Sequence, residues 1–197
     1  MKIWFDILPP KQILFFDPMI KRLQKDNSIF CTTRNYREVN ELAKLQKMKT
    51  VVVGKHGGIS KFDKLDASLQ RSTYLGKIIE KFKPDLTISF CSPEAARVAF
   101  GLGIRHVAFC DSPHAEAVMK LSVPLIQKLL IPWIIPKKEF TKYGITEKDI
   151  IPYKAIDASV IVRHSTRQKL KKKKKKKILI RLEEEQAAYV QKNNHTT

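Results

Sequence analysis

Short apolar runs rich in Val, Ile and Phe alternate along the chain with longer segments whose apolar residues fall on one helical face. This alternation is typical of βαβ units. It predicts a Rossmann-like α/β fold with a mostly parallel sheet and helices on both faces. The five clearest predicted strands are residues 2–8, 28–33, 50–53, 85–90 and 105–110.

Helical spacing marks the segments between these strands. Predicted helices lie at residues 37–46, 74–82 and 94–102. In the first crossover, apolar residues also share one face, but the Asp17-Pro18 pair interrupts it. Pro18 either restarts the helix as its first residue or kinks it, and the sequence leaves both readings open.

The most apolar stretch of the chain is residues 121–136. It is shorter than the ~20 residues of a membrane span and contains Lys128 and several prolines, so we expect a core helix followed by a short strand. A membrane-surface element is the alternative. Residues 137–152 predict a helix, a turn and a short strand end. The β-branched run at 157–163 predicts one more strand.

The end of the chain predicts the start of another domain. Residues 178–182 resemble a strand and are followed by a polar, helix-prone segment. Because a single strand cannot form a sheet, we expect a Rossmann-like domain at 1–168, a lysine-rich linker at 169–177 and a truncated second domain at 178–197. Alternatively, residues 178–182 add to the edge of the first sheet.

The formal net charge of +19 raises the possibility of nucleic-acid binding. Seven of these charges form one run from Lys171 to Lys177. Such a run is usually an exposed linker, although it can support weak, nonspecific binding of nucleic acid. Elsewhere lysines alternate with acidic residues, and no aromatic residues are spaced to stack bases.

The three cysteines are widely spaced in or beside apolar runs. This pattern predicts buried thiols in a reducing compartment, and no Cys or His spacing predicts a metal site. The first residues enter a strand directly, without the features of a secretory signal. We therefore expect a cytoplasmic protein without a membrane span.

Loops that follow parallel strands meet at one edge of the sheet, where ligands bind. None of these loops contains a dinucleotide or P-loop motif. The third loop either presents backbone amides and positive charge to an anion or simply turns the chain. The candidate ligand-binding residues are Pro10, Lys11 and Gln12 after the first strand, Lys55, His56, Gly57 and Gly58 after the third, and Ser92 and Glu94 after the fourth.

The loop after the fifth strand carries the candidate catalytic residues Asp111, His114 and Glu116. Two carboxylates and an imidazole at a strand-to-helix junction can exchange protons with a ligand. The structural alternative is that Asp111 or Ser112 caps the helix and Glu116 complements its dipole.

Five segments together resemble an uncharacterised, largely archaeal family of unknown function. They are KIWFDIL with the following Pro-Lys-Gln, TTRNY at 32–36, VVVGKHGG at 51–58, DSPHAEAV at 111–118 and RLEEEQAAYV at 181–190. The resemblance covers nearly the whole chain. It implies a protein about twice this long with a glycosyltransferase-B-like fold.

That fold class is shared by the UDP-N-acetylglucosamine 2-epimerases, which carry a His-x-Glu-Ala-Gly-Leu-Arg motif with a catalytic glutamate. Residues 114–117 match its first four positions, whereas Val118-Met119-Lys120 replaces Gly-Leu-Arg. Cys91-Ser92-Pro93 stands where the epimerases have Gly-Asp-Thr.

The resemblance implies a nucleotide-sugar or another phosphorylated ligand, such as a UDP-sugar, held between two domains without a covalently bound cofactor. The leading hypothesis is an enzyme of glycosyl transfer or sugar-nucleotide conversion, inactive as this chain alone. The alternatives are a non-catalytic ligand-binding or assembly module and a polyanion-binding protein that uses the lysine run.

Overall fold

The computed structural model describes residues 1–164 together with Ile178 and Ile180. It contains one parallel sheet of seven strands in the order β3-β2-β1-β4-β5-β6-β7. The predicted Rossmann-like α/β fold is therefore confirmed. The strands are β1 (Lys2–Asp6), β2 (Ser28–Asn35), β3 (Val51–Lys55), β4 (Leu86–Ser89), β5 (Arg105–Phe109), β6 (Lys128–Pro132) and β7 (Ile150–Tyr153).

Helices connect successive strands. They are α1 (Pro10–Leu23), α2 (Arg37–Leu45), α3 (Lys61–Phe82), α4 (Pro93–Gly101), α5 (Glu116–Ser122), α6 (Lys138–Thr141) and α7 (Asp157–His164). Pro18 lies inside α1, which continues through it. Helix α3 begins thirteen residues before the predicted segment 74–82. The first half of α3 was not predicted from the sequence. Its apolar residues Phe62, Leu65 and Leu69 are exposed in the structure.

The sheet has an apolar core on each face. On one face Phe5 packs with residues of α1 and α2, and on the other Trp4 packs with Leu75 and Ile79 of α3 and with α4. A third cluster, around Met119, lies beneath α5 and α6. Alternate residues of β1 thus serve opposite faces, as expected for a central strand covered on both sides.

The prediction for residues 157–163 was wrong, because this segment is helix α7 rather than a strand. Val160 and Ile161 pack against the core beside α1, so tertiary contacts override the strand preference of a β-branched run. The Ser159 hydroxyl also accepts a hydrogen bond from the Ile156 amide at the start of the helix. The strands predicted within 121–136 and near the end of 137–152 are confirmed by β6 and β7. The core helix predicted within 121–136 was wrong, because α5 ends at Ser122 and only a short 3-10 helix, Val123–Leu125, follows, where Pro124 lacks a backbone N–H.

Several predictions fall outside the described residues. These concern the lysine run at 171–177 and the second domain at 178–197, apart from Ile178 and Ile180, which are exposed and belong to no helix or strand. No described helix is both long and apolar enough to cross a bilayer.

Candidate functional site

The carboxyl ends of all seven strands lie at one side of the parallel sheet, which we call the carboxyl edge. The four predicted loops follow β1, β3, β4 and β5, so they meet at this edge. The third loop begins later than predicted, because Gly54 and Lys55 belong to β3 rather than to the loop after it. The carboxyl edge collects two groups of interacting polar side chains.

The first group surrounds Lys11, in the first turn of α1. Its ammonium nitrogen Nζ lies 2.6 Å from Oδ2 of Asp111, after β5, and 2.9 Å from Oδ2 of Asp157, at the start of α7. Ser112 Oγ donates a 2.9 Å hydrogen bond to Oδ1 of Asp111, and the Tyr153 hydroxyl donates to Oδ1 of Asp157. We call these five residues the lysine–aspartate cluster.

The two carboxyl groups of this cluster differ in acidity. Burial opposes ionisation of Asp111, but the Lys11 ammonium and the Ser112 hydroxyl outweigh burial and hold the pKa of Asp111 below its ordinary value. Burial dominates at Asp157 and raises its pKa, despite hydrogen bonds from Tyr153 and Lys11. One cation therefore faces two carboxyl groups, of which Asp157 retains a proton more readily.

Lys11 also rests on an aromatic surface. Its Nζ lies 5.0 Å from the ring centroid of Phe90, which contacts Phe15 at a centroid distance of 4.8 Å and Phe109 at 5.6 Å. An ammonium group over a ring face is attracted by the ring quadrupole. The side chains of Lys11 and Asp111 remain 39% and 31% exposed, so a ligand can reach both.

The second group is a buried network centred on Asp6, at the end of β1. Arg71 of α3 contacts both Asp6 oxygens, at 3.0 and 2.6 Å, and also donates to the Val53 carbonyl. The hydroxyls of Thr32 and Ser92 each donate a 2.7 Å hydrogen bond to Asp6. Burial alone would raise the pKa of Asp6, but Arg71 and the two hydroxyls hold it below its ordinary value.

Glu94 connects this buried network to the surface. Its Oε2 lies 3.6 Å from Arg71 Nη1, and its Oε1 accepts a 2.7 Å hydrogen bond from Ser68. Ser92 is the N-cap of α4 and its hydroxyl accepts from the Ala95 amide. Both predicted residues after β4 thus hold the network and the helix start together, while Glu94 keeps 12% of its side chain exposed.

The loop after β3 turns back onto α3. Gly57 packs so closely that a Cβ atom there would lie 2.5 Å from the Asp63 carbonyl oxygen. Gly58 takes a left-handed conformation (φ +68°), and its amide donates a 3.0 Å hydrogen bond to Nδ1 of His56. Lys55 is exposed and His56 half-buried. The glycines therefore shape a turn, and contact of Lys55 and His56 with an anion stays a prediction.

Glu116 and His114 lie at the outer end of the loop after β5. Glu116 is the first residue of α5, is 51% exposed and pairs with Lys120 at 2.6 Å. His114 is exposed, and its backbone carbonyl accepts a hydrogen bond from the Glu116 amide. Of the three predicted catalytic residues, only Asp111 joins the lysine–aspartate cluster. A catalytic role for the other two stays a prediction.

Pro10 and Gln12 frame the start of α1 around Lys11. Pro10 is the first helical residue, where its missing N–H leaves no helical bond unmade. Gln12 is buried, and its Oε1 accepts a 2.8 Å hydrogen bond from the Leu8 amide. These two side chains fix the turn that follows β1, and Lys11 is the one of the three that reaches the cluster.

The cysteines Cys31, Cys91 and Cys110 are buried free thiols, as predicted. Burial raises the pKa of Cys31 to about 12, so its nucleophilic thiolate form is scarce at neutral pH. Cys91 has a left-handed backbone (φ 46°) that turns the chain from β4 toward Ser92. Within residues 1–164, no group of three or more His, Cys, Asp and Glu side chains could hold a metal ion.

Sequence reasoning missed Asp6, Arg71, Tyr153 and Asp157. Asp6 was visible as an acidic residue inside an apolar strand, a position that demands a partner. Arg71 follows Ala67 and precedes Leu75 by one helical turn each, which places it on the buried face of α3. No comparable signal identified Asp157, because its segment was assigned to a strand.

Solved structures with the same architecture include UDP-GlcNAc 2-epimerases. A UDP-GlcNAc 2-epimerase from Neisseria meningitidis, bound to UDP-GlcNAc, matches with a TM-score of 0.62 and 17% identity over 77% of this chain and 46% of that one. The Methanocaldococcus jannaschii UDP-GlcNAc 2-epimerase, in complex with UDP-GlcNAc and UDP, matches with a TM-score of 0.61 and 19% identity over the same shares.

A glycosyltransferase also shares the fold. The spinosyn rhamnosyltransferase SpnG, complexed with thymidine diphosphate, gives a TM-score of 0.53 and 12% identity over 67% of this chain and 45% of that one. Identities this low show the glycosyltransferase-B-like fold alone. The chain spans less than half the length of each of these three proteins.

A sequence relative extends the comparison to the archaea. The uncharacterized protein MJ0665 of Methanocaldococcus jannaschii is 32% identical over 147 residues, which are 73% of this chain and 42% of that protein. The family resemblance stated from the sequence is confirmed by a family model that matches residues 1–196. The chain belongs to the family described as "Protein of unknown function (DUF354)".

Proposed function

We propose that this chain forms one wall of a nucleotide-sugar site and takes part in glycosyl transfer or sugar-nucleotide conversion. The observation that carries the proposal is the Lys11 ammonium shared between Asp111 and Asp157 at the carboxyl edge. Ligands of open parallel sheets bind at this edge. The fold shared with enzymes whose structures hold UDP-GlcNAc or UDP supports a ligand of the UDP-sugar class.

The chemistry of the cluster suits a sugar bearing phosphate. The carboxylate oxygens of Asp111 can accept hydrogen bonds from sugar hydroxyls, because 31% of this side chain remains exposed. Lys11 can exchange part of its pairing with Asp111 for a phosphate oxygen, which offers an equally strong charge-assisted bond. Both oxygens of Asp157 accept hydrogen bonds, from Lys11 and Tyr153, and its side chain is only 5% exposed, so Asp157 positions Lys11 and does not itself reach the ligand.

Catalytic use of Asp111, His114 and Glu116 is part of the same proposal. Asp111 belongs to the cluster, whereas His114 and Glu116 extend from the same loop toward the surface. The second wall of the cleft would come from another domain, so this chain alone is expected to bind without turnover. Binding is therefore the decisive measurement.

Two lysines provide a matched test. Lys11 and Lys128 each form an ion pair with an aspartate and are 39% and 45% exposed, but Lys128 begins β6 and lies at the opposite edge of the sheet. Isothermal titration calorimetry with UDP-N-acetylglucosamine should give a Kd at least about tenfold weaker for Lys11→Gln, which corresponds to 1.4 kcal/mol. Lys128→Gln should bind like the parent chain.

Two results would reject the proposal. One is that the parent chain binds neither UDP-N-acetylglucosamine nor UDP at millimolar concentration. The other is that Lys11→Gln and Lys128→Gln weaken binding equally, which would indicate attraction by overall charge. Binding through Lys11 without turnover when the second domain is present would instead favour the non-catalytic module.

Nucleic-acid binding through the run from Lys171 to Lys177 stays a separate hypothesis. Replacing this run with a Gly/Ser linker should abolish salt-sensitive retardation of RNA or DNA in gels. Retention of that binding in the linker variant would point to a basic surface elsewhere in the chain.

A further inference from the structure

Arg34 occupies an unusual position near the end of β2. Its side chain is half-buried, and its Nε atom is fully buried without a hydrogen-bond acceptor among the described residues. A buried guanidinium N–H that lacks an acceptor is rare, because all five donors of arginine seek partners. Arg34 therefore has bonding capacity that the described part of the chain leaves unused.

The neighbouring carboxylates are already engaged. Asp6 accepts from Arg71, Thr32 and Ser92, which occupy both of its oxygens. Glu94 acts on Arg34 electrostatically, but it accepts from Ser68 and faces Arg71 instead. Burial and the nearby Arg71 charge both lower the pKa of Arg34, although Glu94 and Asp6 oppose them.

Arg34 lies opposite an irregularity in β3, near the carboxyl edge. Thr33 pairs with Val52 and Asn35 pairs with Lys55, so Arg34 alone stands opposite Val53 and Gly54. Such a β-bulge changes the direction of the strand and redirects a side chain, and bulges are common beside active sites. The left-handed conformation of Gly54 (φ +72°) permits it here.

The charges around this position leave room for an anion on the outer side. The charges of Asp6 and Arg71 compensate each other inside the protein, and Glu94 balances Arg34 only from a distance. Exposed Lys55 is the last residue of β3, and half-buried His56 follows it beside Tyr36, whose ring centroid lies 6.2 Å from that of His56. These groups add positive charge or hydrogen-bond donors at the rim.

We propose that Arg34 anchors an oxyanion subsite at the carboxyl ends of β2 and β3, which accepts a phosphate or carboxylate group of a ligand. A planar guanidinium matches either group in a two-point contact, and because Nε is buried this contact uses the two terminal Nη groups. The subsite lies toward the β3 side of the sheet, whereas Lys11 contacts aspartates that follow β5 and β7. It is therefore distinct from the lysine–aspartate cluster and does not depend on the nucleotide-sugar proposal.

The test uses the 197-residue chain labelled with ¹⁵N and follows the arginine Nε–Hε signals by NMR. Inorganic phosphate and sodium acetate are titrated in separate arms at constant ionic strength. We expect a saturable shift of the Arg34 signal in at least one arm. A response to phosphate alone assigns a phosphate subsite, and a response to acetate as well assigns a site for oxyanions in general.

Arg37 provides the matched control. It lies three residues away, its side chain is 84% exposed, and its Nε already donates to Glu41 at 3.0 Å. In the variants anion binding is followed through the backbone amide signals of β2 and β3, because substitution of Arg34 removes its side-chain signal. Arg34→Gln should weaken anion binding at least about tenfold, Arg34→Lys should retain part of it, and Arg37→Gln should leave it unchanged. Lys11→Gln should also leave it unchanged, which separates this subsite from the proposed nucleotide-sugar site.

Thermal unfolding distinguishes a binding role from a structural one. A guanidinium held for a ligand, with a buried donor unpaired, should not stabilise the ligand-free fold, so Arg34→Gln should match or exceed the Tm of the parent chain. The proposal is overturned if neither anion shifts the Arg34 signal. It is equally overturned if Arg34→Gln lowers the Tm by several degrees while anion binding persists, or if Arg37→Gln weakens binding as much as Arg34→Gln.

Discussion

The guanidinium group of Arg71 forms a two-point ion pair with the carboxylate of Asp6, and both side chains are almost completely buried. The pair joins α3 to the end of the central strand β1 beneath the carboxyl edge. Thr32, Ser92 and the Val53 carbonyl complete its hydrogen bonds, so β2, β3 and the loop after β4 are fixed to the same point. The geometry of the edge therefore depends on this pair.

Removing one partner of this pair should destabilise the protein strongly. Asp6→Asn leaves the Arg71 charge buried without full compensation, and such changes cost about 3–5 kcal/mol. We expect urea denaturation, followed by circular dichroism, to show a loss in the free energy of unfolding of this size. Arg37→Gln, which breaks an exposed pair with Glu41, should change it by less than about 0.5 kcal/mol. A loss below about 1 kcal/mol for Asp6→Asn would contradict the assigned role of the pair.

Alanine substitutions at Gly54 and Gly58 distinguish the effect of a steric clash from that of backbone strain. Both have left-handed φ angles, +72° and +68°, so alanine at either position costs about 1–2 kcal/mol. A Cβ at Gly54 would also lie 3.0 Å from Cβ and Cγ of Arg71, whereas a Cβ at Gly58 meets open space. Gly54→Ala should therefore destabilise the chain by roughly 1–3 kcal/mol more than Gly58→Ala in the same denaturation assay. Equal losses would show that Arg71 can move aside.

His106 should make stability depend on pH. It is fully buried, its Nε2 lies 2.9 Å from Ser89 Oγ, and burial lowers its pKa to about 4 from the ordinary 6.5. Between these values the unfolded chain binds one more proton than the folded chain. Stability from this group is thus complete above pH 6.5 and declines on acidification, by at most about 1.4 kcal/mol per pH unit.

Measurements between pH 5 and 6.5 test this dependence, because any contribution of Asp157, whose pKa is raised, is the same in the parent chain and in the His106 variant. In His106→Gln, the slope of the unfolding free energy against pH should be smaller by about the contribution of one proton, about 1.4 kcal/mol per pH unit. An unchanged slope in His106→Gln would mean that the folded and unfolded chains bind the same number of protons at His106, so that burial does not lower its pKa.

Glu116→Gln tests whether the loop after β5 acts on a ligand. Glu116 and Glu139 both lie in the first turn of a helix. Glu116 pairs with Lys120 of the same helix, and Glu139 pairs with Lys142, which directly follows α6. Each Gln substitution should lower the free energy of unfolding by at most about 1 kcal/mol, through loss of the helix-terminal charge. If Glu116 contacts the ligand, Glu116→Gln alone should weaken UDP-N-acetylglucosamine binding about tenfold, or slow turnover about a hundredfold when a second domain is present. Identical behaviour of the two variants would leave Glu116 as a helix-terminal acid.

The Rossmann-like fold, most of its strands and the edge at which the loops meet were predictable from the sequence. These features follow from local periodicity, because alternating apolar runs and helical faces dictate parallel strands with helices on both sides. The sequence also placed Lys11 and Asp111 at that edge. Their contact was not predictable, since nothing local relates residues 100 positions apart.

Which polar residues contact one another depends on how distant segments of the chain pack together. The segment beginning at Asp157 is rich in β-branched residues, yet packing of Val160 and Ile161 against the core makes it a helix and brings Asp157 to Lys11. Arg71 likewise reaches Asp6 only because α3 crosses over β1. Charge pairing depends on distances in space, and burial sets its strength, so both emerge only when the strands and helices pack together.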